Sequence, residues 1–211
     1  MKKFYLIIIA AIFLVTLYHY PSLPDKIATH WNASGNVDGY SSKAFGAFLL
    51  PVMVIVITFL FVLFPRIDPL RSNIQKFKKY YEGFILIFLL FMLMVQLQII
   101  LWNTGVKLSP NSILPIGIAI LLFYTGIMLD KSKRNWFIGI RTPWTLSSDK
   151  VWDKTHKLGG KLFKISAILA ALGMVFTYLL IWLIIVPILS SALFLFVYSY
   201  FVYKATKKYS K

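Results

Sequence analysis

Few side chains in this 211-residue chain can do chemistry, and their spacing limits what kind. There are three histidines, seven acids and no cysteine, so disulfides and Cys-ligated metal centres are excluded. His30 and Asp38 share one loop, with turn signals at Gly35-Asn36 and Asp38-Gly39. Two donors fall short of the three or four a metal site needs. The favoured reading has both residues hydrogen-bonding their own loop, with no metal. Asp149 and Asp153 stand at i and i+4 on one helix face, a pairing a metal can use, but Lys150, Lys154 and Lys157 neutralise that neighbourhood. A solvated face is the better reading. No G-x-S-x-G, H-E-x-x-H or glycine-rich phosphate loop occurs, so neither a catalytic residue nor a cofactor is expected. Gln96 and Gln98 are the most polar residues inside an apolar stretch. They point about 200° apart on a helix, which suits hydrogen bonding between helices rather than one shared site.

The elements that carry these residues belong to a membrane. The chain is 59% hydrophobic and 14% charged, with mean hydropathy +0.74, whereas soluble domains hold about 25% charged residues. A crossing helix needs about 20 apolar residues. Residues 4–20, 44–64, 83–102 and 113–129 each supply one. Residues 165–203 contain no Lys, Arg, Asp or Glu, too long for one crossing and right for two, with a tight turn near 178–183. The fold expected is all-α: a polytopic membrane protein with six transmembrane helices in a single domain. The basic N-terminus imitates a signal peptide, but the bulky run at 16–20 offers no cleavage site, so an uncleaved anchor is expected. Pro51 and Pro187 should kink their spans. Pro115 should sit in the first turn of span four. Ser166, Ala167, Ala170 and Ala171 form small-xxx-small pairs, which predict close packing of span five.

The net charge is +16, and its placement orients the bundle. Two lysines precede span one, five Lys/Arg lie in 65–82, nine in 130–164 and four in the tail. Only Lys26, Lys43 and Lys107 lie in the alternate connections. Positive charge marks cytoplasmic loops, so both termini (N-in/C-in) and the connections 65–82 and 130–164 are expected inside, and loop 21–43 outside. The basic clusters sit beside membrane ends, where they meet anionic lipid. No direct nucleic-acid partner is expected.

Two loops carry most of the information. In loop 21–43, Ile27, Thr29 and Trp31 alternate like a strand, so a small hairpin is expected. In 130–164, Pro143 disfavours helix through Thr142, and Ser147 or Ser148 is a good N-cap, with Asp149 suited to the helix start. Val151, Trp152, Thr155, Leu158 and Leu162 form one apolar stripe, read as an amphipathic helix lying on the inner membrane face and running into span five. Gly159-Gly160 serves as a hinge or as a close-packing point. Trp136, Trp144 and Trp152 are read as interfacial anchors, or else as a face that docks a partner.

The run Ile138-Gly139-Ile140-Arg141-Thr142-Pro143-Trp144-Thr145-Leu146, with Val151-Trp152 and Lys154-Thr155-His156-Lys157-Leu158-Gly159-Gly160-Lys161, resembles the hallmark of the SdpI bacterial immunity family. Pro24, Ile27, His30-Trp31-Asn32, Gly35 and Asp38-Gly39 are similar to the membrane-associated domain of unknown function that often precedes it. In that family the type member protects a sporulating cell from a secreted, membrane-active toxic peptide. It also holds a small winged-helix repressor at the membrane. The resemblance thus implies a non-enzymatic protein of the bacterial cytoplasmic membrane. It implies a repressor-facing loop at Arg141, Thr142, Pro143, Trp144, Trp152 and His156. Toxin would be met at the outer side, where His30, Trp31, Asn32, Asp38 and Gly39 lie. Two other readings stand beside it. One is a small transporter or membrane enzyme using the His30/Asp38 face, although no span carries an ionisable group at mid-membrane. The other is a lipid-binding envelope protein.

Overall fold

The computed structural model describes residues 2–208. Lys211 of the basic tail lies outside the described residues. Among the described residues, five helices are long and apolar enough to cross a membrane: α1 (Lys2–His19), α2 (Lys43–Ile67), α3 (Arg71–Asn103), α4 (Pro110–Lys131) and, after two elements given below, the last helix, α7 (Leu180–Lys208). Their outward faces remain apolar, with Leu6, Ile7, Phe59, Leu193 and Phe201 all exposed. A soluble protein rarely leaves so much apolar surface contiguous; in lipid it costs nothing. Helices suit that setting because each satisfies its own backbone bonds.

Between α1 and α2 the strands β1 (Lys26–Trp31) and β2 (Val37–Ser42) form an antiparallel hairpin, as the alternation predicted. The register shifts around His30, so Ile27 and Ala28 are both buried rather than alternating. α3 starts well before the apolar run at 83, because Ile74, Phe77 and Tyr81 bury one face of its charged first turns. Its backbone departs from helix at Phe77. α4 starts at Pro110, which takes the first-turn position that Pro115 was expected to hold; Pro115 sits inside the helix. α2 runs through Pro51 and α7 through Pro187.

Three elements follow α4: the short α5 (Pro143–Ser147), α6 (Asp149–Leu172) and α7. The turn between the last two falls at residues 173–179, a few positions before the expected 178–183. α6 is one continuous helix, as a segment running on into span five requires; the expectation that its apolar stripe lies on the membrane face is corrected. Its Val151–Thr155 stripe finds protein instead of lipid, and from Gly159 onward the helix packs against α4. Residues 126 and 160, then 122 and 167, meet in antiparallel order. Gly159-Gly160 is therefore a packing point and no hinge: a Cβ on Gly160 would lie 2.7 Å from the Gly126 carbonyl oxygen. Ser166, Ala167 and Ala170 continue that buried face.

The main core joins α1, α2 and α3 through Ile12, Val54, Phe77, Ile85 and Leu89, and reaches Met128 of α4 and Ile138 beyond it. Gln96 is fully buried there, donating to Thr16 Oγ1 at 2.9 Å and to the Ala47 carbonyl at 3.1 Å. It ties α3 to α1 and α2, the interhelical role expected of it. Gln98 donates separately to the Leu108 carbonyl at 3.4 Å.

Candidate functional site

The chemistry of the α4–α6 connection resolves into a ledge folded over the first turns of α6. Its organiser is Asn135, fully buried. Asn135 Nδ2 donates to the carbonyls of Lys133 and Ile138 at 2.8 and 2.9 Å, and Oδ1 accepts from the N–H groups of Phe137 and Ile138 at 3.0 and 2.6 Å. All of an amide's usual capacity is spent inside one turn. Gly139 follows with φ +114°, a region that favours glycine. A Cβ there would stand 2.5 Å from His156 Nε2.

Beneath Gly139, His156 is buried and stacked on Trp152, ring centroids 3.9 Å apart and planes 15° from parallel. Its Nε2 accepts from Ile140 N–H at 2.9 Å, and Nδ1 lies 2.9 Å from the Trp152 carbonyl, to which it donates. Both nitrogens are thus committed in the neutral ring. Burial pushes the imidazole down to a pKa of about 4 from 6.5, only partly opposed by the bond to Trp152. Trp152 donates its indole N–H to the Ser132 carbonyl at 3.3 Å, pinning the end of α4.

The next turn is α5. Thr142 and Thr145 form a reciprocal cap around it, with Pro143 at its first position. Thr142 Oγ1 also meets Ser199 Oγ of α7 at 2.9 Å. The Trp144 ring packs edge-on against Phe196 and Tyr200 of α7, 5.2 Å from each. Ser148 then caps α6 by accepting from Val151 N–H, with Asp149 in the first turn, as expected.

The ledge is also tied to the α2–α3 connection. Asp68 is buried; its two carboxylate oxygens accept from Leu70 N–H at 2.6 Å and from Trp136 N–H at 2.8 Å. Asn73 donates to the Arg134 carbonyl at 2.9 Å. Phe137 stacks on Phe64 at 4.8 Å. Asp149 pairs with Arg134 at 2.7 Å and Asp153 with Lys133 at 3.1 Å. The acids therefore serve ion pairs, with partners other than the lysines of their own helix.

Of the residues expected to face a partner, Arg141 and Pro143 are exposed and Trp144 is half-buried. Thr142, Trp152 and His156 are buried and hold the ledge from below. Trp136 is 50% exposed, beside Arg141, whose guanidinium donates to its carbonyl at 3.1 Å. Asn135, Asp68 and Asn73 escaped the sequence reading. Asp68 had one signal, an acid within a basic connection; Asn135 bonds only its near neighbours, whereas the partner of Asn73 lies far away in the chain.

At the opposite end, His30 Nδ1 and Asp38 Oδ1 pair with each other across the hairpin, both exposed, rather than bonding the loop backbone. Asn32 closes the turn, its Oδ1 accepting from Ser34 and Asn36 N–H at 3.0 Å each. Gly39 leaves room for His30, whose Cβ would be 2.8 Å from a Cβ at position 39. Trp31 meets Trp102 edge-on at 5.6 Å. Asn103 of α3 grips the hairpin, its amide bonding both the N–H and the carbonyl of Ala28, at 2.8 and 3.0 Å. No group of three or more His, Cys, Asp or Glu residues that could hold a metal occurs among the described residues.

Comparisons with known proteins divide along these two ends. Residues 7–55 match a domain of unknown function, DUF1648, and residues 131–199 match the SdpI/YfhL protein family. The immunity protein SdpI of Bacillus subtilis (strain 168) is 27% identical over 188 residues, 88% of this chain and 87% of that protein. No solved structure matches the chain.

Proposed function

The chain belongs to the SdpI/YfhL family, and from that premise we propose that it is a non-catalytic immunity and signalling protein of the bacterial cytoplasmic membrane. It crosses six times, the last two crossings drawn from residues 165–203, with both termini in the cytosol. The hairpin end and the spans intercept a secreted, membrane-active peptide. The ledge at the basic end docks a small winged-helix repressor through Arg141, Pro143, Trp144 and Trp136. Toxin biases a two-state bundle, and the ledge presents itself in one of the states.

The observation that carries this reading is the construction of the ledge. Its backbone is locked by buried Asn135, His156 and Trp152, while a cation, a proline and two indoles stay at its surface. Aromatic residues and Arg are the side chains enriched at interface centres. Its anchors also reach α7 and the α2–α3 connection, so a shift of either is felt at the ledge.

Expression in a toxin-sensitive strain tests the first half: survival against the host's secreted peptides is expected to rise, and unchanged survival against all of them removes immunity. For the second half, Arg141→Ala should abolish recruitment of the repressor to membranes while insertion stays normal. Recruitment that persists would take the ledge out of the mechanism.

A further inference from the structure

A cleft of about 320 Å³ opens at the basic end between α1, α2 and the start of α3. Its walls are apolar, with Phe61, Val62, Ile74 and Ile85. Its rim carries Arg66, Arg71 and Lys78 against a single acid, Glu82. Lys78 is 3.7 Å from Glu82, whereas Arg66 and Arg71 are exposed and enter no ion pair among the described residues. The two phenols that also line the cleft are occupied: Tyr5 donates to the Glu82 carbonyl at 2.9 Å and Tyr81 to the Phe61 carbonyl at 2.8 Å. Besides the neutral amide of Gln75, the polar capacity left over is cationic, and it sits above an apolar slot.

We propose that this cleft binds an anionic phospholipid, its phosphate held between Arg66 and Arg71 and its first acyl carbons against Phe61 and Val62. Guanidinium forks match phosphate oxygens bidentately. The depth fits as well, because Arg66 lies in the last turn of α2, just past its apolar stretch, where headgroups reside. A free phosphate would satisfy the arginines and leave the apolar wall wet. The inference rests on the bundle spanning a bilayer and needs neither toxin nor repressor, so its failure would leave the immunity reading standing.

The test is native mass spectrometry of the purified full chain in a nonionic detergent, titrated with phosphatidylglycerol and with phosphatidylcholine of the same acyl chains. Phosphatidylglycerol is expected to bind roughly tenfold more tightly. The double variant R66Q/R71Q should lose that preference. K154Q/K157Q, which removes the same charge from another basic surface, should keep it. Val62→Trp fills the slot without touching charge and should weaken the phosphatidylglycerol adduct. Millimolar glycerol 3-phosphate should leave the adduct in place. Equal binding of the two lipids, equal loss in both double variants, undiminished binding in Val62→Trp, or displacement by glycerol 3-phosphate would each overturn the proposal.

Discussion

With Nδ1 donating to Trp152 and Nε2 accepting from Ile140, His156 has no place for a second proton. Its pKa is lowered in the folded chain, so the unfolded chain binds more protons between pH 6.5 and about 4. The stabilisation is complete above pH 6.5 and drains away as the pH falls through that window, by up to roughly 3 kcal/mol. Thermal unfolding in detergent should therefore shift down between pH 7 and 4.5, and His156→Gln should flatten the shift; an unchanged slope would assign it elsewhere. Asn135→Ala should cost about 2–4 kcal/mol, since it strands several buried backbone groups at once. Gly139→Ala should be similarly severe because φ and the nearby imidazole both oppose a Cβ. The same unfolding measurement reads both. The motif's chemistry was visible from residue types. Which of its members point inward was not, because Thr142, Trp152 and His156 are buried by Ser199, Ser132 and Ile140, contacts that no local spacing encodes.

The helix pair α4–α6 makes a sharper demand than its small-residue spacing suggests. Gly126 and Gly160 place each backbone against the other's carbonyl oxygen, 2.6–2.7 Å from any added Cβ. Gly160→Ala should cost about 1–3 kcal/mol through forced separation of the helices. Gly159→Ala meets only side-chain tips, Ile140 at 2.6 Å with Leu195 and Leu129 farther off, and should cost much less, so comparing the two melting temperatures isolates the backbone contact between the helices. At this scale the sequence was informative wherever the cause is local: apolar runs long enough to cross, the hairpin's turn residues, the Ser148 cap. It misled where the cause is a neighbour. The stripe on α6 has the period of a surface helix, and only the facing α4 and the ledge turn it inward. α3 was underestimated for the same reason, since its early turns are charged outside and buried inside.

The molecule has two unlike ends. The hairpin packs with the α3–α4 connection at one, and the ledge packs with the α2–α3 connection at the other. Because the chain has no cysteine, single introduced thiols report on these ends without background. Asp38→Cys should react with a membrane-impermeant maleimide on intact cells, and Trp136→Cys only after lysis; the reverse pattern would invert the orientation. Charge counting placed these connections on opposite sides before any contact was known, whereas it carried no information about how they are joined. They are joined by one element. α3 is about 50 Å long, its Asn103 gripping β1 and its Asn73 gripping the ledge, with its only break in helical backbone at Phe77. It is a rod clamped at both tips with one knuckle. A displacement of the Asn103 clamp is either taken up at that knuckle or carried to Asn73, four residues beyond it.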